Sequence, residues 1–324
     1  MKSNREEMEI DLVYLWVDGS DPVWRAKRHA FLGEAEEVSE LNCKGRYADN
    51  DELKYSLRSV EKYAPWIRKI FIVTDNQIPN WMEVANPKIQ IIHHQEMMPE
   101  ICLPSFNPCT IEGFLHKIPD LSEHFLFAND DMFLGADVQP DFFFAKDGYP
   151  IVRLNRKPFR QFRSFMRQCI RKKPFLHYSQ AIFNATELVK KRFGVYYNGL
   201  PHHNIDAYLK SNCQRVVEQI FKDEFDALKS NHIRSLNDIQ RIIYSFVALA
   251  EKRGYLHYSS KKESLHIGIH NENHYQQFEK YKPVLFCMND SQYAQDSDRM
   301  RLKAFLEKLF PEKSEFEKAH KSKG

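Results

Sequence analysis

Four short apolar runs, each closing on a polar or acidic residue, constrain most strongly what this chain can fold into. They are Asp11–Val17 (DLVYLWV), Lys69–Thr74 (KIFIVT), Ile89–His94 (IQIIHH) and Phe125–Ala128 (FLFA). Runs of this length, bounded by turn residues, predict buried strands. Between the first two, Glu52–Tyr63 places Leu53, Leu57 and Val60 at helical spacing. Strands alternating with helices predict an α/β fold with a largely parallel sheet. In such sheets ligands bind beyond the carboxyl ends of the strands. Asp18, Asp75 and the pair Asp130–Asp131 all follow strand ends.

The rest of the chain has a different texture. Arg153–Lys173 carries nine basic residues and no acid. Arg160, Arg163, Arg167 and Arg171 repeat at helical spacing, with Phe159, Phe162, Met166 and Ile170 one position earlier. That predicts an amphipathic basic insertion. Anionic membrane, a polyanionic glycan or plain solvent could face it, and no nucleic-acid-recognition motif accompanies it. Further on, Ile239, Ile242, Ile243, Phe246, Val247 and Ala250 form an apolar helical stripe, with Ser235 and Asp238 as a capping box at its start. A last helix is expected from about Asp298 to Phe310, and a charged, frayed tail after Pro311.

Composition narrows the class. The 324 residues carry a net charge of only +3, so local charge matters more than the total. The six cysteines form no C-x-x-C pair, which predicts reduced thiols rather than a disulfide frame. The first residues are polar and show no signal-peptide core, and no run of about 18 apolar residues exists to span a bilayer. The expectation is a cytoplasmic protein, or one peripheral at the inner face of the cell membrane.

Chemistry concentrates in a few places. Two adjacent carboxylates, Asp130 and Asp131, repel each other at a strand end unless a cation sits between them. They predict either a divalent-metal site or an acidic turn. Arg46, Asp49, Asn50, Asp51 and Glu52 precede or open the first long helix, where acids also serve as caps, and Arg58 lies further along it. The pair His202–His203 follows Asn198-Gly199-Leu200-Pro201 and could supply a general base. Arg234 could clamp a phosphate.

In combination these segments resemble the Stealth family. It includes bacterial capsular and exopolysaccharide phosphotransferases and the catalytic subunit of the animal lysosomal-enzyme N-acetylglucosamine phosphotransferase. The matching blocks are IDLVYLWVDGSDPVW from Ile10, a long block from Arg46 to Phe144 containing RYADNDELKYSLRSVEKYAPWIRKIFIVTDNQIPNW and LFANDDMFLG, a third over Pro201–Leu256 with HHNIDAYLK and HIRSLNDIQ, and a fourth over Pro283–Phe310 with LFCMND. Two departures stand out. His202-His203-Asn204 replaces the His-spacer-Pro of many members, leaving His203 and His202 both eligible. Ser291 stands where many members have a second Asp.

The resemblance implies a Rossmann-like, glycosyltransferase-A-like sheet with a mainly helical C-terminal part. The implied division is a nucleotide-sugar-binding core over 1–145, the basic insertion over 146–200, a helical part completing the site over 201–312, and the tail over 313–324. It implies transfer of a sugar-1-phosphate from a UDP-sugar to a glycan or lipid-linked oligosaccharide hydroxyl, with release of UMP. Asp130 and Asp131 would hold Mg²⁺ or Mn²⁺. Asp18, Arg46, Asp49, Glu52 and Arg58 would shape the donor site, and Glu112 with His116 would support it. His203 or His202 would take the acceptor proton, and Arg234 would stabilise the transferring phosphoryl group. Two alternatives remain at this level: a glycosyltransferase releasing UDP, and a carbohydrate-binding protein without catalysis.

Overall fold

The computed structural model describes residues 8–32, 47, 49–166 and 176–319. Its centre is a five-stranded sheet. The strands are β1 (Ile10–Leu15), β2 (Ile70–Thr74), β3 (Ile89–His93), β4 (His124–Asn129) and β8 (Asp206–Leu209), in the order β3-β2-β1-β4-β8. The first four are mutually parallel, and β8 runs antiparallel against β4. The four apolar runs of the sequence are therefore the four parallel strands. Their side chains divide between two cores as the pleat demands. Val13, Phe71, Val73, Phe125 and Phe127 enter one cluster, while Leu12, Tyr14, Ile70, Ile72, Leu126 and Ala128 enter the other. A sheet covered on both faces needs apolar residues at every position, which is why these strands read as unbroken runs.

One exception inside β1 is Asp11, fully buried. Arg68 grips both of its oxygens at 2.9 and 2.6 Å, and the Ser122 backbone N–H donates at 2.7 Å. These bonds tie the amino end of the sheet together and satisfy a charge that would otherwise be costly to bury.

The helix α1 spans Pro22–Leu32 and α2 spans Glu52–Tyr63. The α2 helix buries Leu53, Leu57 and Val60, as its spacing predicts. It packs on β5 (Met132–Leu134), where the Ser59 hydroxyl accepts from the Leu134 N–H at 3.1 Å. β5 joins a second sheet with β10 (Ser264–Gly268) and β11 (Leu285–Asn289), in the order β10-β11-β5. A third sheet pairs β6 (Ile151–Arg156) with β7 (Gly199–Pro201) and β9 (Tyr255–Tyr258).

The second half of the chain thus mixes strands with helices. It is also knit into the first: Val152, Leu154, Ile182, Ala185 and Val189 share a core cluster with Val13 and Phe127. The helix Ile242–Ala250 starts later than the apolar stripe suggested. Ser235 and Asp238 instead close a turn, with the Ser235 N–H donating to Asp238 at 2.9 Å. The basic segment differs more. Arg153 and Arg156 lie on β6, and the helix that follows covers only Arg160–Phe165. Arg160 is buried, donating to Thr186 and to the Tyr197 carbonyl, whereas Phe159 and Phe162 are exposed. The amphipathic polarity read from spacing is reversed at these positions. Arg167, Ile170 and Arg171 lie outside the described residues.

The expected frayed tail is docked at least to residue 319. Phe316 is buried, and Glu317 pairs with Met82 as a short bridge. Arg58 holds Glu317 at 2.7 and 2.8 Å and donates to the Phe310 carbonyl. Charge in the tail reads as solvation from the sequence alone, because its partner, Arg58, is more than 250 residues away.

Candidate active site

The connection from β1 leads to β2 and β3 on one side, and the chain then returns to β4 on the other. The sheet order therefore reverses between β1 and β4, and a crevice opens there beyond the carboxyl ends. Residues 15–17 leave β1 and residues 129–131 leave β4 directly beside a cavity of about 220 Å³. Asp130, Asp131, Glu52, His203 and Arg234 all line it, with Asp75, His94 and Asp290.

The acidic side of this cavity is electrostatically unsettled. Burial pushes the Asp130 carboxyl well above its ordinary range, and the charges of Asp131, Glu52 and Asp49 push the same way. Asp131 is raised by burial, with partial relief from the Cys287 thiol and Asn289. Its Oδ2 accepts from Cys287 Sγ at 3.2 Å, while its buried Oδ1 has no hydrogen-bond partner among the described residues. Glu52 is pushed up to about 8 by burial, although the Asn50 side chain donates to it at 2.7 Å. Burial likewise raises Asp49 to about 6, with Asp51 and Asp18 adding to it. Asp130, Asp131 and Glu52 line the cavity as oxygen donors, Asp49 lies close enough to raise Asp130 and Glu52, and one Asp131 oxygen has no partner among the described residues. That fits a hard divalent cation such as Mg²⁺ or Mn²⁺.

Asp75 is not part of this unsettled set, since Lys27 holds both its oxygens at 2.7 Å. Burial holds the neighbouring His94 down to about 4. Asp290 is gripped by Arg299 at 2.8 and 3.1 Å.

His203 sits in the loop between β7 and β8 with φ of 57°, a left-handed conformation uncommon for residues other than glycine and shared by six others among the described residues. Such strain persists only where the surroundings impose it, and it clusters at functional sites. Burial, followed by the neighbouring His266 and Arg241, holds its imidazole down to about 3. That favours the neutral ring. Its Nδ1 lies 3.2 Å from the Tyr178 hydroxyl.

Arg234 donates to the Tyr47 hydroxyl at 2.7 Å and lies 5.4 Å from that ring's centre. Arg28 approaches the same ring at 4.9 Å. Tyr47 also packs on Trp24, and Trp24 on Phe106, with ring centres 5.2 and 5.5 Å apart. These aromatic residues and Trp16 line the cavity. Trp16 is 94% buried yet its Nε1–H has no acceptor among the described residues. Sequence reasoning did not single them out, because an aromatic residue in an apolar block reads as core until a cavity opens beside it.

Several expected site residues lie elsewhere. Arg58 is committed to Glu317 and is not in the cavity lining. Glu112 ends a short helix and bonds Arg241 at 2.9 Å, whereas His116 bonds Glu218 at 3.2 Å. The two do not share a helical face. His202 is buried between Ser264 at 2.9 Å and Asp206 at 3.0 Å. Arg241 links Asp206 to Glu112 and lies 4.4 Å over the Phe127 ring. Burial works against its charge, and the two carboxylates outweigh that. Arg241, Asp206 and His202 of this buried network act on the His203 ring electrostatically, and none of its members lines the cavity. Asp18 does not line the cavity; it is bonded to Ser20 and Gln77 and close enough to raise Asp49. Arg46 lies outside the described residues.

Known proteins complete the picture. Family models match as Stealth protein CR1, conserved region 1, over residues 8–35, and Stealth protein CR2, conserved region 2, over residues 46–152. The capsular polysaccharide phosphotransferase of Actinobacillus suis is 42% identical over 165 residues, covering 50% of this chain and 45% of that one. The match thus spans less than half the length of that relative. The exopolysaccharide phosphotransferase cps2G of Lactiplantibacillus plantarum is 32% identical over 337 residues and covers 96% of both chains. Among solved structures, the glycosyltransferase GlyE of Streptococcus pneumoniae aligns with a TM-score of 0.44 at 9% identity, over 94% of this chain and 60% of that one. Aligned from end to end with cps2G, the chain belongs to the Stealth family of capsular and exopolysaccharide phosphotransferases.

Proposed function

We propose that this protein transfers a sugar-1-phosphate from a UDP-sugar to a hydroxyl of a glycan or lipid-linked oligosaccharide, releasing UMP during capsular or exopolysaccharide synthesis. One observation carries it: the crevice at the β1/β4 reversal gathers an unsettled acidic cluster, a strained neutral histidine and an arginine in one cavity. The acids suit a cation-bound diphosphate, the histidine a proton acceptor, and the arginine a developing phosphoryl charge.

Each residue then has a task. Asp130 and Asp131, with Glu52 and Asp49 behind them, would hold Mg²⁺ or Mn²⁺. When bound, that cation neutralises diphosphate charge and steadies the leaving UMP. The Trp16 Nε1–H is a buried donor ready for a donor-substrate oxygen, and the wall of Trp24, Tyr47 and Phe106 offers aromatic faces to a nucleobase. With Nδ1–H donating to the Tyr178 oxygen, His203 Nε2 keeps its lone pair for the acceptor proton. A base held this low is weak, but phosphoryl transfer through a loose transition state asks mainly for position and charge neutralisation. The acceptor oxygen bonds to the phosphorus nearest the sugar, and the bridging P–O bond to UMP breaks. The hydroxyl proton passes to His203, and Arg234 takes up charge on the phosphoryl oxygens. The sugar C1–O bond stays intact.

The exposed pair Phe159 and Phe162, among exposed Arg156, Lys157 and Arg163, supports peripheral contact with an anionic membrane that presents a lipid-linked acceptor. No helix among the described residues is long and apolar enough to cross a membrane.

Nucleotide analysis of a reaction with UDP-sugars, Mg²⁺ or Mn²⁺ and an oligosaccharide acceptor tests the assignment. Stoichiometric UMP is expected. Stoichiometric UDP would make the protein a sugar transferase and overturn it.

A further inference from the structure

We propose that His203, His266 and Cys287 form a binding site for a borderline-soft divalent cation of the Zn²⁺ class, distinct in donor chemistry from the carboxylate set beside it. The three residues come from separate parts of the chain. His203 lies in the β7–β8 loop, His266 on β10 and Cys287 on β11. His266 and Cys287 are register partners of the parallel β10–β11 pair, so their side chains emerge side by side on one face. The His203 ring packs against His266 with centres 5.2 Å apart. One ligand atom from each of the three lies within 4.8 Å of the other two.

Tetrahedral zinc, with bonds of roughly 2.0–2.3 Å, spaces its ligand atoms about 3.3–3.8 Å apart. Closing the cluster therefore needs a shift of about 1 Å, within reach of side-chain rotation at the exposed His266. A fourth ligand is adjacent. Asp131 Oδ2 already accepts from Cys287 Sγ at 3.2 Å. Two imidazoles and a sulfur select zinc-like ions over Mg²⁺, whose preference is for oxygen. Binding releases the thiol proton to solvent, so the thiolate forms only with the ion. The free thiol is held protonated by burial and by the charges of Asp131 and Asp130.

The consequence for transfer rests on the role given to His203 above. A ligated imidazole has no lone pair for the acceptor proton, so occupation of this site switches the reaction off. Asp131 borders both sites, which couples zinc binding to the diphosphate-binding cation.

The test uses the full chain, stripped with chelator and titrated with Co²⁺ in excess Mg²⁺, which keeps the carboxylates occupied, and in the absence of substrate. Expected are one equivalent of bound Co²⁺, a near-ultraviolet thiolate-to-cobalt charge-transfer band, and loss of that band on adding one equivalent of Zn²⁺. Cys287→Ser should abolish the band. His266→Ala, at an exposed position, should weaken Co²⁺ binding at least about tenfold, the loss that even an outer-shell partner brings. Co²⁺ bound without the band, or a band that survives Cys287→Ser, overturns the site. In an activity assay with excess Mg²⁺, Zn²⁺ should inhibit the wild type and spare His266→Ala. The spectrum needs no turnover, so an inactive protein with the band contradicts only the reaction, and an active protein without it contradicts only the site.

Discussion

On the proposed reading, Asp130 and Asp131 serve a ligand rather than stability. Burial raises both carboxyls and the Asp131 charge raises Asp130 further, which costs folding energy until a cation joins them. Asp130→Asn should therefore lower transfer by about 10²–10³-fold, the effect of losing one electrostatic contact to the transition state. The same variant should raise the chelated protein's Tm by about 1–3 °C. Calorimetry in chelator beside an activity assay reads both, and a variant that loses Tm as well as activity would mean the pair is structural. His203 offers a second residue-level test, through its φ of 57°. His203→Gly and His203→Ala should both be inactive, but the glycine variant should be more stable by about 1 kcal/mol, since it adopts that backbone without strain. Equal urea midpoints for the two would remove strain from the account. Neither residue's environment can be read from the chain alone. The doublet Asp-Asp at a strand end was legible. The orphaned oxygen of Asp131 depends on its packing, and the proposed choice of His203 over His202 depends on Ser264 and Asp206 claiming the other imidazole.

At the scale of elements, the parallel strands were the most legible feature because their burial on both faces leaves continuous apolar runs. The helix over Glu52–Tyr63 was equally clear. β7 carries too few residues to show a period, and β10 breaks its apolar residues with Ser264 and His266, so the C-terminal half read as mainly helical. The docked end of the chain was illegible for a different reason: its anchor is the long-range pair Arg58–Glu317. Arg58→Ala should free that segment. The cost is about 3–5 kcal/mol, as when one partner of a buried pair is removed. Hydrogen exchange should rise over residues 311–319 while UDP-sugar binding is kept, and loss of nucleotide affinity would return Arg58 to the donor site. The helix Arg160–Phe165 bears the surface prediction. Replacing Phe159 and Phe162 with Ser, or Arg163 with Glu, should weaken co-sedimentation with anionic vesicles, and salt should weaken it for the parent chain. Binding unchanged by either substitution would leave this face to solvent.

For the molecule as a whole, the strand order decides where chemistry can occur. The reversal between β1 and β4 opens one crevice, and the second and third sheets deliver His203 to it through β7 and Asp290 through β11. The Arg241 network with Glu112 and Asp206 ties those later elements to the central sheet beneath the cavity. Strand order cannot be deduced from apolar runs. The sequence therefore pointed to the strand ends without showing that those after β1 and β4 meet, while Asp75 beyond β2 is occupied by Lys27. The acidic pair in that crevice suits any cation-bound nucleotide-sugar diphosphate, so the central claim concerns which bond the protein breaks. The most direct measurement follows a UDP-sugar radiolabelled at the phosphorus next to the sugar. Sugar-1-phosphate transfer predicts that the label enters the glycan product as a phosphodiester. Recovery of the label in released UDP, with an unlabelled glycan, would contradict it.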